Sequence, residues 1–265
     1  MNLVSQDKTT LNTSFSSSVL GKSNFMDRIE HSIYFDSGMF QDQTGNSQVS
    51  LYNHPKLNKD GLDCIRANDQ HAQFSETNFG GTFTISCWFN LHSTSTYPRP
   101  FQLETGTGAN HNAVHSYIDD MTLWLEYWIS TSSTNNVRQS VTVPSLNTFH
   151  HIAWVIDSEI STAYLYLNGA LVGNPLTGIA TLPTMVRSKN TIGDRYNLDR
   201  SFDGQVKSFN LWTRTLSPVE VAALYDLGRD FNPYDNKSAT IIGGKSGFQI
   251  FFSITLSFSI SITIS

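Results

Sequence analysis

Between Thr82 and Asn90 the chain reads TFTISCWFN. Phe83, Ile85, Cys87 and Phe89 fall on one face, and Thr82, Thr84, Ser86, Trp88 and Asn90 fall on the other. A period of two held over this length predicts a β-strand with one face in a core and a polar face interrupted by a single Trp. Shorter stretches of similar character predict strands at His31–Phe40, Gly61–Ala67, Arg99–Glu104, Met121–Ser130, Val137–Val143, Phe149–Asp157 and Ala163–Leu167, with Gly-, Asn- and Ser-rich gaps between them. Many short strands at such spacing predict an all-β fold, a two-sheet antiparallel jelly-roll sandwich.

Two punctuation signals have a mechanism. In AYLYLNGALVG, Asn168-Gly169 separates two apolar runs, and both residues tolerate the positive φ of a type I′ turn, which predicts a β-hairpin. Phe202-Asp203-Gly204, ahead of QVKSFNLW, is a second hairpin-like signal. Further on, Ser217, Pro218 and Glu220 supply an N-cap, a first helical residue and the return arm of a capping box. They predict one short C-terminal helix from Pro218 to about Leu227, stopping near Gly228.

Composition narrows the function. Charged residues make up 15% of the 265-residue chain and the formal net charge is -5, so no basic stripe exists to neutralise phosphates and no nucleic-acid partner is expected. Cys64 and Cys87 are the only cysteines; they read as two buried thiols in neighbouring strands, with one bridge as the alternative. MNLVSQDKTTLNTSF has no apolar run behind a basic start, so no signal peptide is expected, and the Asn12 and Asn236 sequons carry little weight.

The run FTISCWFN, then FHHIAWVID, AYLYLNGALVG, NTIGDR and FDGQVKSFNLWTRTLSPVEVAALY, in that order, resembles the laminin-G-like and pentraxin-like branch of the concanavalin A-like superfamily, over about residues 60 to 230. The resemblance implies a jelly roll, usually non-catalytic, often lectin-like or adhesive, with calcium bound at the rim in many members. Carried over position by position, it implies Asp119 and Asp120, before MTLWLE, and Asp194, Asn197 and Asp199, in IGDRYNLD, as calcium ligands. Arg195 and Tyr196 stand where pentraxins carry acidic or amide residues, and an Arg paired with a carboxylate would make the cluster metal-free. A solvated acidic loop is the plain alternative.

Other chemistry finds less support. Glycoside hydrolases of related fold need two carboxylates facing one another, and Glu126 has no same-face carboxylate two or four residues away on its strand. There is no Gly-X-Ser-X-Gly elbow. His150 and His151 are adjacent on a strand, point to opposite faces and cannot hold one ion together, so both read as packing residues. For stacking on sugar rings the candidates are Tyr97, Tyr117 and Tyr196, with Trp88 and Trp128 equally suited to packing.

Residues 1–30 read as a flexible arm, 31–230 as the sandwich and 231–247 as a linker. From Phe252 to Ser265 every even position is Phe, Ile or Leu and every odd one Ser or Thr. Residues 248–265 therefore read as an extra strand, with a membrane anchor as the alternative. The chain is expected to be a non-enzymatic module that recognises a glycan or protein, assisted by calcium, at a surface or outside the cell. Two alternatives stand beside it: a structural subunit of a virion or large complex whose arms contact neighbouring subunits, and an inactive or divergent glycoside hydrolase relative.

Overall fold

The computed structural model of the chain describes residues 22–23, 25–94, 97–105, 112–129, 136–194, 201–233, 239–244 and 247–252. In chain order the first strands are β1 (Lys22–Ser23), β2 (Ile29–Asp36), β3 (Met39–Asp42), β4 (Val49–Tyr52), β5 (Lys56–Asn58), β6 (Gly61–Cys64) and β7 (His71–Phe74). Then come β8 (Thr77–Phe79), β9 (Phe83–Leu91), β10 (Phe101–Glu104), β11 (Val114–Asp119), β12 (Thr122–Trp128), β13 (Asn136–Thr142), β14 (Phe149–Asp157) and β15 (Thr162–Leu167). The rest are β16 (Ala170–Leu171), β17 (Leu176–Thr177), β18 (Met185–Arg187), β19 (Lys189–Ile192), β20 (Gly204–Trp212), the helix α1 (Pro218–Asp226), β21 (Ala239–Gly244) and β22 (Gly247–Phe252).

The chain divides into two compact units, and Phe25–Lys237 forms the larger. Within it a seven-stranded sheet runs β13-β12-β11-β10-β19-β7-β4, and a ten-stranded sheet runs β16-β15-β14-β9-β20-β2-β3, with β17 on β15, β6 on β20 and β5 on β6. The strand pairs are antiparallel. Phe83, Ile85, Cys87 and Phe89 of β9 are all buried, as the alternation requires. They join Ile33, Phe35, Phe209 and Leu211 of their own sheet and Phe101, Leu103, Leu123 and Leu125 of the other in one core. The sheets meet through rings: Phe101 lies 5.2 Å from Phe209, and Phe83 lies 6.3 Å from Tyr127. Each such ring, fully buried, contributes on the order of 2 kcal/mol by area. Cys64 and Cys87 are free buried thiols, and burial pushes both well above the ordinary thiol range.

The predicted hairpin is present: Asn168 and Gly169 have φ of 49° and 77°, and Leu167 pairs with Ala170. The helix is capped as its sequence requires, with Ser217 Oγ accepting from Glu220 N and Glu220 Oε2 accepting from Ser217 N at 2.8 Å. Three details differ from the sequence reading. His31–Phe40 is two strands, because Gly38 at φ 76° turns the chain and Asp36 pairs with Met39. Asp203-Gly204 makes no hairpin, since β19 and β20 lie in different sheets. Gly204 is required instead by close approach: a Cβ there would meet Asn90 O at 2.1 Å. Finally, the 231–247 segment contains a strand, because Thr240, Ile241 and Ile242 are strong β-formers that find a partner in β22.

The smaller unit is a three-stranded sheet of order β1-β21-β22, with Ile241 opposite Ile250 and Lys22 opposite Thr240. Residues 248–252 of the alternating tail belong to β22, and 253–265 lie outside the described residues.

Candidate functional site

The strand registers line up side chains into transverse rows on the outer face of the seven-stranded sheet. One row is polar from end to end. Ser50 pairs with Gln73, Gln73 with Thr191, Thr191 with Gln102, Gln102 with His115, His115 with Glu126, and Glu126 with Arg138. Gln102, His115, Glu126 and Thr191 are buried, so their polar atoms need partners within the protein. Arg99 donates to Gln102 Oε1, Gln102 donates to Glu104 Oε2 at 2.5 Å, and Asn136 donates to Glu126 Oε1. His115 Nε2 lies 3.4 Å from Glu126 Oε2. Burial alone would raise the Glu126 pKa, but hydrogen bonds from His115 and Asn136 and the imidazole charge outweigh it and hold the carboxyl below its ordinary value.

The next row carries rings at both ends. Tyr52 pairs with His71 at one end and Tyr117 with Trp124 at the other. Continuing the registers by one residue places Gly193 and Pro100 between them, and Gly193 N donates to Pro100 O at 2.9 Å. Both are buried. Three strand spacings separate His71 from Tyr117, about 14 Å. Tyr52 and His71 stack at 5.1 Å with planes 5° apart. His71 is fixed by Asp69 O at 2.8 Å and Gln73 Nε2 at 3.0 Å. Tyr117 and Trp124 are 6.2 Å apart and 13° from parallel, too far for face-to-face overlap, so they form an offset step. Arg138 places its guanidinium carbon 4.5 Å over the Trp124 ring, and Tyr97 meets Tyr117 edge-on at 5.9 Å. Tyr52, Tyr97 and Arg138 are exposed, and Tyr117 and Trp124 half-buried.

The residues expected from sequence scatter differently. Tyr97 and Tyr117 come together at this step. Asp119 and Asp120 are exposed at the β11–β12 hairpin, where Asp120 has φ 54°. Asp194 is fully buried; its Oδ2 accepts from Ser201 at 2.9 Å and lies 3.9 Å from His71 Nδ1. Tyr196, Asn197 and Asp199 lie outside the described residues. Among the described residues no group of three or more His, Cys, Asp or Glu is placed to hold a metal ion. Trp88 is a packing residue, with Tyr225 of α1 stacked on it at 5.6 Å and His151 at 5.1 Å. His150 faces the other way, 6.1 Å from Phe89, so the two histidines diverge.

Sequence reading along one strand missed four contributors: Tyr52, Trp124, Arg138 and Glu104. The alternation in TLWLEYW does put Trp124, Glu126 and Trp128 on one face, but only the register tells which residues of other strands join them. Glu104, two strands from Glu126, shares its outer face, so a second carboxylate is present there. A hydrolytic pair needs one carboxyl raised to act as an acid. Glu126 is shifted the opposite way.

The laminin-G family model, described as the concanavalin A-like lectin/glucanases superfamily, matches residues 66–222, and the chain belongs to that superfamily. Among solved structures it is similar to domain 4 of AbnA, a GH43 extracellular arabinanase from Geobacillus stearothermophilus, in complex with arabinotriose. Identity there is 14%, coverage 75% of this chain and 98% of that one, and the TM-score 0.55. It is also similar to the binding domain of botulinum neurotoxin serotype D, at 12% identity, 86% and 63% coverage and a TM-score of 0.58. A third likeness is to the binding domain of Paraclostridial Mosquitocidal Protein 1, at 15% identity, 76% and 52% coverage and a TM-score of 0.53. The chain thus spans between half and two thirds of these toxin binding domains, and the likenesses at such identities show the fold. No curated protein matches the chain by sequence.

Proposed function

We propose that the sandwich is a non-catalytic glycan-binding module that holds an extended oligosaccharide across the strands of the seven-stranded sheet. The observation that carries this reading is the single transverse row with an aromatic pair on either side of its middle, about 14 Å apart. Sugar rings present apolar C–H faces to aromatic planes and hydroxyls to polar neighbours. Tyr52, Tyr117 and Trp124 offer the planes, and Arg138 with Tyr97 offers donors beside them. Gln73 and Arg138 of the adjoining polar row hold His71 and Trp124 in place before any ligand arrives, which lessens the ordering left to binding. The arabinotriose complex of a domain with the same fold supports the ligand class. Calcium assistance at Asp119, Asp120, Asp194, Asn197 and Asp199 is a further part of the proposal, and Asp194 would have to exchange its Ser201 contact for the ion.

The test is titration calorimetry with linear arabino-, xylo- and gluco-oligosaccharides of one to six units, with and without calcium. Affinity should rise with length until both aromatic pairs are engaged. Tyr52→Ala and Trp124→Ala should each weaken the longest ligand about tenfold, or about 1.4 kcal/mol. Absence of binding across the whole series, or unchanged binding in both variants, would overturn the reading; calcium-independent affinity would remove only the ion.

A second reading, assembly, has one observation in its favour: β22 stands at an edge of its sheet with β21 as its neighbour among the described residues. Unpaired edges accept further strands. Deleting residues 248–265 should then change the oligomeric state in light scattering, and an unchanged state would count against it.

A further inference from the structure

The ten-stranded sheet carries a cleft of about 220 Å³ on its outer face, lined by Val155, Asp157, Tyr164, Tyr166 and the segment Thr215–Pro218. Two paired strands make its floor, with Val155 opposite Tyr164 and Asp157 opposite Thr162. The wall is fixed in place: Leu216 N donates to Thr84 Oγ1 at 3.0 Å, and Thr84 Oγ1 donates to Arg214 O at 2.8 Å. Val155 and Leu216 are buried and Pro218 is exposed, giving an apolar base and lip.

Among the described residues no hydrogen bond engages the hydroxyl of Tyr164 or Tyr166, and both oxygens are open to solvent at the cleft mouth. A third polar group of the cleft, the Asp157 carboxylate, is oriented by the fold. Asp157 Oδ1 accepts from Glu159 N at 3.1 Å and from Ile160 N at 3.4 Å, which orients the carboxylate. The adjoining helix N-terminus offers no anion site of its own, because Ser217 and Glu220 already satisfy it in the capping box.

We infer that this cleft is a second binding site, for a single neutral sugar ring. Its volume lies below the range of about 300 to 1,000 Å³ that takes drug-sized ligands, so one ring is the fitting size. Two tyrosine hydroxyls and one carboxylate over Val155, Leu216 and Pro218 match a ring that has hydroxyls at its rim and C–H groups on its face. A carboxylate with no Lys, Arg or His in the lining disfavours anions. The site lies on the sheet opposite the aromatic row, so the two are separable, and a module with both would engage glycans on two sides.

The test is a ¹H–¹⁵N NMR titration of the full chain with D-glucose, D-galactose and L-arabinose, and with D-glucuronate as the anionic control. At least one neutral sugar should shift the amides of Tyr164, Tyr166 and Leu216, and glucuronate should leave them in place. Tyr166→Phe keeps the ring and removes only the hydroxyl; it should weaken that binding about tenfold at unchanged Tm. Trp124→Ala should leave the shifts intact, which separates this site from the aromatic row. No shift at these amides with any of the neutral sugars, equal binding of glucuronate, or wild-type affinity in Tyr166→Phe would each overturn the inference.

Discussion

The outer faces of the two sheets meet opposite fates. On the ten-stranded sheet the chain covers its own polar face. Trp88 lies against Tyr225, and Trp212 Nε1 donates to Phe25 O at 2.7 Å. Ser32 Oγ lies within hydrogen-bond reach of Asn210 Oδ1 and Asn232 Oδ1, at 2.9 and 3.0 Å. On the seven-stranded sheet the polar row is knit together laterally, and Tyr52, Tyr97 and Arg138 remain exposed on that face. An aromatic residue on an outer face is therefore ambiguous until its cover is known. Trp88 and Trp124 have the same standing in sequence and are both half-buried, one as the seat of α1 and the other in a step topped by the Arg138 guanidinium.

The largest expected effect separates those two residues. Trp88→Ala should cost about 3 kcal/mol in urea denaturation and leave oligosaccharide binding unchanged, because it removes the surface on which α1 rests. Trp124→Ala should do the reverse, changing stability by less than about 1 kcal/mol while binding weakens. If both variants behaved alike, the distinction between covered and presented faces would fail.

Acid should strain the covered face first. Burial pushes the His151 pKa from 6.5 down to about 3, so below pH 6.5 the unfolded chain binds a proton that the folded one refuses. Stability is then full above pH 6.5 and falls as the pH drops, by about 2 kcal/mol between pH 7 and 5. Asp42 and Glu126 act at lower pH. Both are held below their ordinary values against the opposing effect of burial, by hydrogen bonds from His31, Ser32 and Thr44 in one case and from His115 and Asn136 in the other. Their contribution is present above the ordinary carboxylate range and is lost as the pH falls through their folded pKa values. Denaturation at a series of pH values should show the first slope in the wild type, and His151→Phe should flatten it.

A smaller effect checks the cover itself. Ser217→Ala removes the N-cap of α1 and should cost about 1 kcal/mol, read as a shift in Tm, with binding at the aromatic row unaffected.

The period-two alternation of β9, the Asn168-Gly169 turn and the capping box of α1 were all legible in the sequence, because each is a local preference acting over a few residues. Tyr97 and Tyr117 could be named as ligand candidates for a similar reason: both belong to residue types that stack on sugars. The rows could not be read. A strand's own sequence says which residues share its face, but which neighbour stands opposite depends on hydrogen-bond register across strands far apart in the chain. Gln73, Thr191, Gln102, His115, Glu126 and Arg138 come from six strands and form one line only in the folded sheet. By itself, then, the sequence determined an all-β sandwich with one capped helix, through local patterning and turn chemistry. Tertiary structure alone decided which polar face is sealed and which presents its rings, because that depends on pairing and on where the chain lays residues 213–233.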